Sequence, residues 1–248
     1  MKEITRIHLD TVNSTNTYIK ERFDQLSDAT LVTAGEQTAG RGRLDRKWLS
    51  PKDQNIYASF LMKEISQPFY ATIVSSLAVL QTLRATVPDI DCYIKWPNDI
   101  YVEDAKIAGI LSEGIWQNGK LAGIIGGMGI NINLDPEDLK KIDQRAVSLY
   151  SLYKTKFNLK KVTDQLAKSL LECYILYSSF PDTVFAAWKA ENRLLGRTLE
   201  FIRPDGTTIQ AVMQDIRENG SVIIQYQGIT EEFTCGDLRV VKESLLKK

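Results

Sequence analysis

The apolar positions in the first third of the chain follow a strand-then-helix pattern twice. Residues 7–26 begin with alternating polar and apolar positions and continue with apolar residues at helical spacing, which predicts a strand followed by a helix. A short apolar segment at Leu31–Ala34 predicts a further strand. Residues 55–62 alternate again, and Pro68 opens a second helical pattern. We therefore expect strands interleaved with two helices in this part of the chain.

Short apolar segments rich in β-forming residues dominate the middle of the chain. They lie around Tyr93–Trp96, Ile107–Ser112 and Ile124–Leu134, and turn signals at Pro97-Asn98-Asp99 and Asn118-Gly119 separate them. Segments of this length that are joined by short turns predict adjacent antiparallel strands.

Helical spacing returns in the later part of the chain. Asp135-Pro136 has the residues that favour a helix start, Leu159–Tyr177 carries apolar residues at helical spacing, and the pattern of Phe185–Leu195 ends at Gly196. We predict three helices here.

The pattern changes again after Gly196. Only short strand patterns and turn signals follow, at Pro204-Asp205-Gly206 and Asn219-Gly220. We therefore predict a large domain of residues 1–194 and a small β-rich domain of residues 195–248.

The overall charge and the cysteines exclude several classes of protein. Lys and Arg number 31, as do Asp and Glu, so no global field attracts nucleic acid or an anionic membrane. Cys92, Cys173 and Cys235 are odd in number and widely spaced, which argues against a disulfide framework or a zinc site. The N-terminus has no signal-peptide pattern, and no apolar run is long enough to span a bilayer. We expect a soluble cytoplasmic protein that binds neither DNA nor membrane.

The first motif with chemical potential is the loop Gly40–Trp48, GRGRLDRKW. Its four cations are Arg41, Arg43, Arg46 and Lys47. Glycine lets backbone amides approach a ligand, and guanidinium groups bind phosphate or carboxylate through two hydrogen bonds. The loop is therefore predicted to bind an anion and to be mobile until one neutralises its charge. A solvated surface loop is the alternative interpretation.

Three further motifs follow in order along the chain. KWPND, Lys95–Asp99, brings a lysine and an aspartate together at the end of a strand, although an ordinary turn has the same pattern. In KIAGILSE, Lys106–Glu113, a lysine precedes a strand that Gly109 keeps open, although such a lysine is often only solvated.

GMGININ, Gly127–Asn133, predicts an alternating strand. Gly127 and Gly129 would leave room for a flat group, and Asn131 would recognise it. A strand glycine that marks a bulge is the alternative.

Taken in this order, the four motifs resemble the catalytic domain of biotin–protein ligases. The resemblance runs from about Ile7 to Asn133 and is weaker in the C-terminal segment. It implies an α+β fold, with a mixed β-sheet flanked by helices as in class II aminoacyl-tRNA synthetases and a small C-terminal SH3-like β-barrel.

The resemblance also implies two sets of site residues. The positions that match the biotin site are Ser14, Thr15, Asn16, Gln37, Gly40, Arg41, Gly42, Arg43, Lys106, Gly109 and Gly127. Those that match the ATP or adenylate site are Arg43, Trp48, Lys95, Asn98, Asn131 and Lys106. Hydroxyl and amide groups suit the ureido ring of biotin, and helix capping is the alternative for Ser14–Asn16. No protein ligand to a metal is implied.

The activity implied by the resemblance is ATP-dependent formation of biotinyl-5′-AMP, followed by transfer of biotin to a lysine of a biotin carboxyl carrier domain. Arg43, Lys95 and Lys106 would neutralise developing charge together with Mg²⁺. Asp99 is our hypothesis for the group that orients or deprotonates the acceptor lysine. Two alternatives are a lipoate–protein ligase and a non-catalytic biotin- or nucleotide-binding sensor.

The chain departs from the usual family pattern at one position of the loop. Where the family usually reads G-R-G-R-x-G-R-x-W, Asp45 stands in place of the third and last glycine, which puts the geometry of the loop in question. The sequence leaves no room for a helix-turn-helix before Ile7, so we expect a ligase that is not a repressor. A monomer and a homodimer are both open.

Overall fold

A computed structural model of the protein describes residues 3–44, 46–203, 205–234 and 239–240. Asp45, Cys235 and Pro204 of the predicted turn lie outside the described residues. The strands are β1 (Thr5–Val12), β2 (Thr30–Gln37), β3 (Ile56–Met62), β4 (Cys92–Lys95), β5 (Asp99–Val102), β6 (Ala105–Gln117), β7 (Lys120–Ile130), β8 (Thr198–Ile202), β9 (Thr208–Ile216), β10 (Val222–Tyr226), β11 (Ile229–Phe233) and β12 (Arg239–Val240). The helices are α1 (Thr15–Glu21), α2 (Pro68–Thr86), α3 (Pro136–Leu139), α4 (Leu149–Tyr153), α5 (Leu159–Ser179) and α6 (Pro181–Ala190).

The large sheet has seven strands in the order β1-β2-β3-β7-β6-β5-β4. β1 and β2 are parallel, whereas the remaining neighbours are antiparallel. The sheet is therefore mixed and is flanked by helices, and the α+β prediction is confirmed.

The two faces of the sheet have different coverings. Along β3, Ile56, Ala58, Phe60 and Met62 point into the main core with α2 and α5, as their alternation predicts. On the opposite face, Leu61 joins a smaller cluster beneath α1. The helix α1 therefore covers one end of this second face.

A second, antiparallel sheet follows with the strand order β11-β10-β9-β8-β12, as the expected SH3-like barrel requires. The turn between β9 and β10 contacts the large sheet at Gly220, whose φ of +85° favours glycine. The buried Trp96 of the KWPND motif donates a hydrogen bond from Nε1 to the carbonyl oxygen of Gly220 at 3.0 Å. The division at residues 194 and 195 stays a prediction.

Three sequence-based boundaries are wrong. The helix predicted at Phe185–Leu195 is α6, which starts earlier because Pro181 occupies its first turn. It ends at Ala190 because the chain then turns to bridge β4 at Asn192. The first helix ends at Glu21 and gives way to a short 3₁₀ turn instead of continuing to Leu26.

The strand predicted at Ile124–Leu134 is β7, which ends at Ile130. Beyond this point Asn131 leaves the ladder with β3, and the next amide, of Ile132, donates to the side chain of Asn55. β5 and α4 have no counterpart in the sequence-based prediction. No helix in the described ranges is long and apolar enough to cross a membrane.

Candidate active site

The strand register brings the predicted glycines together on the face that α1 leaves open. Gly129 of β7 lies opposite Gly109 of β6, which in turn lies opposite Asp99 of β5. Two residues further along β7, Gly127 lies between Leu111 of β6 and Ser59 of β3. Since alternate residues of a strand share a face, these two rows form one continuous surface.

The row at Gly127 is lined by hydroxyl and amide groups. The backbone N–H and the hydroxyl of Thr15 both donate to Gln37 Oε1, at 2.9 and 3.1 Å. The hydroxyl of Ser59 donates to Thr15 Oγ1 at 2.7 Å. Thr15, Gln37 and Ser59 therefore offer uncharged donors and acceptors at this end of the site.

Asn16 closes the same end. Its Nδ2 donates to the carbonyl oxygen of Leu111 at 3.2 Å and to Glu113 Oε2 at 2.7 Å, while its Oδ1 accepts from Ser59. A Cβ at Gly127 would overlap Asn16 Oδ1. The glycine is therefore required for the amide of Asn16 to lie flat on the sheet.

Helix capping does not account for the first turn of α1. Ser14 is buried at the N-cap position, yet its side chain makes no capping hydrogen bond. The side chains of Thr15 and Asn16 bond to β-strands instead of the helix backbone. The alternative prediction of simple capping is wrong.

The Gly- and Arg-rich loop folds over the strand ends. Trp48 N–H donates to the carbonyl oxygen of Gly40 at 2.9 Å, and Gly42 N–H donates to that of Arg46 at 2.7 Å. Arg43 Nη1 donates to Asn98 Oδ1 at 2.9 Å. The loop thereby places one guanidinium against the KWPND turn, and its binding of an anion stays a prediction.

A group of cations lies at the row of Gly129. Lys106 Nζ is 2.6 Å from Asp99 Oδ1, and both side chains are less than 15% exposed (12% and 14%). Lys95 is 9% exposed, with Nζ 5.4 Å from the ring centroid of Tyr101. Charges with so little water around them act strongly on an anionic ligand.

The space that the sequence predicts for a flat group at Gly129 is occupied by Trp48. A Cβ at Gly129 would overlap the indole ring, and one at Gly109 would stand 3.0 Å from it. Lys106 Nζ lies 5.3 Å from the ring centroid. Glycines at these two positions therefore accommodate an aromatic ring, which here is the protein's own.

Asn131 is held by the surrounding backbone. It is buried, its Nδ2 donates to the carbonyl oxygen of Val147 at 3.1 Å, and its Oδ1 accepts from Asn55 at 3.5 Å. Its contribution to nucleotide binding stays a prediction.

Sequence analysis missed two residues of the site, Ser59 and Glu113. Ser59 interrupts an otherwise apolar and fully buried strand, and Glu113 ends the KIAGILSE motif. The polar Ser59 in a buried strand could have been noticed in the sequence. Only the folded structure shows that the side chains of Ser59 and Glu113 both bond to Asn16.

Residues 9–131 match the sequence profile of the Biotin/lipoate A/B protein ligase family. The chain belongs to this family. The matched region begins within β1, contains the first three motifs and ends at Asn131, within the fourth.

Relatives extend the similarity beyond that region. The chain is 27% identical over 235 residues to the bifunctional ligase/repressor BirA of Escherichia coli, covering 93% of this chain and 72% of that protein. It is 26% identical over 217 residues to a biotin–[acetyl-CoA-carboxylase] ligase of Mycobacterium tuberculosis, covering 85% and 79%. The fold matches the biotin protein ligase from Aquifex aeolicus in complex with biotin and ATP, with a TM-score of 0.79, 28% identity and coverage of 96% and 98%.

Proposed function

We propose that the protein is an ATP-dependent biotin–protein ligase. It activates biotin as biotinyl-5′-AMP and transfers the biotin to a lysine of a biotin carboxyl carrier domain. The observation that carries this proposal is the pair of rows on the open sheet face. The uncharged row at Gly127 and the cationic row at Gly129 are two residues, or about 7 Å, apart along β7. That spacing suits a ligand with a neutral polar ring at one end and a carboxylate at the other.

The uncharged row is assigned to the ureido ring. A urea has two N–H donors and a carbonyl acceptor, and Thr15, Asn16, Gln37 and Ser59 supply matching acceptors and donors. Ser14, Gly40, Arg41 and Gly42 complete the proposed biotin site. Burying the ring there keeps its polar groups satisfied, which a hydrophobic pocket would not do.

The cationic row is assigned to the activation step. A carboxylate oxygen of biotin attacks the α-phosphorus of ATP, the bond from that phosphorus to the bridging oxygen breaks, and pyrophosphate leaves. Two anions must approach each other, so Arg43, Lys95 and Lys106 lower the barrier by neutralising the charge that develops. Magnesium would be part of the MgATP substrate, where it would supply further positive charge beside the phosphates.

The second step transfers the acyl group. The amine of the acceptor lysine attacks the carbonyl carbon of the adenylate, the bond from that carbon to the phosphate oxygen breaks, and AMP leaves. A lysine has a pKa of about 10.4 in water, so a proton must be removed. Asp99 is proposed to orient the ammonium and accept this proton, after exchanging its contact with Lys106.

Trp48, Asn98 and Asn131 are proposed to bind the nucleotide. Trp48 already lies against Gly109 and Gly129, and an aromatic ring there offers a surface for stacking adenine. Asn98, which accepts from Arg43, and Asn131 line the same end of the site.

Biotin is favoured over lipoate as the acid. The family profile includes both kinds of ligase, whereas the relatives above are named as biotin ligases. Lipoate has no urea, so it would make none of the hydrogen bonds that the ureido ring of biotin can exchange with the polar groups around Gly127.

Two broader assignments accompany this function. Residues 1–194 are proposed as the catalytic domain and residues 195–248 as the SH3-like domain. A cytoplasmic location is supported by Cys92 and Cys173, which are free thiols in the described part of the chain, because reducing compartments keep thiols unpaired.

The direct test of the function is to mix the protein with MgATP, a carrier domain and either biotin or lipoate. We expect the mass of the carrier to rise by one biotinyl group with biotin only. Modification by lipoate at a similar rate would show that biotin is not the preferred acid. Binding of biotin without release of pyrophosphate would indicate a non-catalytic sensor.

The Gly- and Arg-rich loop is expected to tighten when the adenylate binds. Its tip is exposed, with Leu44 64% exposed at a φ of +55°. Hydrogen exchange across residues 38–47 should slow with biotinyl-5′-AMP, because the phosphate draws Arg43 inward. Equal, strong protection in both states would contradict a closing loop.

Arg43→Gly should then release the adenylate. We expect the intermediate to dissociate at least about tenfold faster, since one charge-assisted contact is lost, and bystander lysines to become biotinylated. Arg46→Gly, in the same loop, is the matched control. An unchanged dissociation rate in the Arg43 variant would exclude it as the residue that retains the intermediate.

A further inference from the structure

Glu113 is the one carboxylate that contacts both the uncharged row and the loop among the contacts of the described residues. Its Oε2 accepts from Asn16 Nδ2 at 2.7 Å. Its Oε1 lies 2.5 Å from Lys20 Nζ and 3.5 Å from Arg41 Nη2. The side chain is 18% exposed, so these three donors form most of its polar surroundings.

The carboxylate is held in its ionised form. Burial works against ionisation of Glu113, but hydrogen bonds from Lys20 and Asn16 and the positive charges of Lys20 and Arg41 outweigh it, so its pKa lies below the ordinary value. At neutral pH the group is therefore an acceptor with a full negative charge.

This charge fixes which way the amide of Asn16 faces. With Glu113 and the Leu111 carbonyl both accepting from Nδ2, only Oδ1 can be directed at Ser59 and toward Gly127. Reversing the amide would place its oxygen against a carboxylate and a carbonyl. Asn16 therefore presents a defined acceptor to the ligand side.

The same charge reaches the start of the loop. Arg41 Nη2 also lies 3.5 Å from Thr17 Oγ1, so its guanidinium is held between α1 and the end of β6. Glu113 thus links the amide at the bottom of the uncharged row to the first arginine of the loop above it.

We propose that Glu113 is a positioning residue for the acid substrate: its negative charge orients Asn16 and anchors Arg41, and it thereby sets biotin affinity without taking part in the phosphorus chemistry. This proposal rests on the assignment of biotin to the uncharged row. Glu113 lies at the end of the site away from Lys106 and Asp99, four residues along β6 from Gly109, which is why its effect is confined to binding.

Three variants distinguish the effect of the negative charge of Glu113 from the effect of its side-chain shape. Glu113→Gln keeps an oxygen that can accept from Asn16 but loses the attraction for Lys20 and Arg41. Glu113→Ala removes every contact. Lys20→Met removes the closest cation and leaves the contacts to Asn16 and Arg41 in place. Glu191→Gln, which disrupts a half-buried pair with Arg84, is the matched control outside the site.

The test is calorimetric binding of biotin to each variant, followed by steady-state adenylation with biotin and MgATP varied in turn. We expect Glu113→Gln to weaken biotin binding by about tenfold and Glu113→Ala by about a hundredfold. At saturating biotin, kcat and the KM for MgATP should stay within about twofold of the wild-type values. Lys20→Met should fall between the wild type and Glu113→Gln, and Glu191→Gln should match the wild type.

A biotin affinity unchanged in both Glu113 variants would overturn the proposal, as would a fall in kcat without a change in biotin affinity. If the alanine variant does not fold, the isosteric glutamine variant decides the question. Wild-type protein that binds no biotin would instead overturn the proposed function, so the two failures are distinguishable.

Discussion

Lys106→Ala is expected to slow adenylation by roughly two orders of magnitude while changing ATP affinity by less than about threefold. Lys106 meets charge that develops between the biotin carboxylate and the α-phosphate, so its contribution is largest in the transition state. Loss of one such contact commonly raises the barrier by about 3 kcal/mol. Single-turnover measurement of biotinyl-5′-AMP in quenched mixtures gives the rate.

Two controls isolate the role of Lys106. Lys120→Ala alters an exposed lysine at the start of β7 and should leave the rate unchanged. The double variant Lys106→Ala/Asp99→Asn removes the carboxylate that Lys106 otherwise neutralises, so it shows whether an unpaired charge causes the defect. A normal single-turnover rate in Lys106→Ala would show that Lys106 does not take part in adenylation.

Gly127→Ala is expected to weaken biotin binding by about thirtyfold or more, which corresponds to on the order of 2 kcal/mol. The added Cβ overlaps Asn16 Oδ1, and the amide cannot simply move aside because Ser59, Leu111 and Glu113 hold it. Calorimetry with biotin measures the loss.

Gly114→Ala is the matched control for this substitution. Gly114 lies in β6 on the exposed part of the β6–β7 hairpin, and its nearest neighbours are the side chains of Trp116 and Leu121. Biotin affinity should be unchanged there. If Gly127→Ala binds biotin as tightly as the wild type, the ureido ring does not lie at this row.

The alternating strands and the long helices were predictable because their signals are local. In β3, every second residue from Ile56 to Met62 is apolar and faces the main core, so the period of two identified both the strand and its inner face. α5 is identified in the same way by helical spacing from Val162 to Cys173. In both segments the pattern repeats several times within one element.

The elements that sequence analysis missed depend on distant partners. β5 has only four residues, and its first and last residues are determined by pairing with β4 and β6. The end of β7 at Ile130 is set by Asn55, which takes the next backbone amide. Neither the extent of β5 nor the end of β7 can be predicted from the pattern of neighbouring residues.

The site was predictable in composition but less so in arrangement. The motifs supplied Lys95 and Lys106 as candidate site residues, and the resemblance to biotin–protein ligases supplied Thr15, Asn16 and Gln37. Which residues share a row depends on the register of three strands. The place of Trp48 over Gly129 depends on how the loop closes.

Formation of biotinyl-5′-AMP in the absence of any acceptor tests the central claim most directly. Activation and transfer are separate steps, so the protein with biotin and MgATP alone should accumulate about one adenylate per active site, with one pyrophosphate released for each. Mass spectrometry of acid-quenched mixtures measures both products. A mixture that biotinylates a carrier domain yet never contains the adenylate would contradict the account.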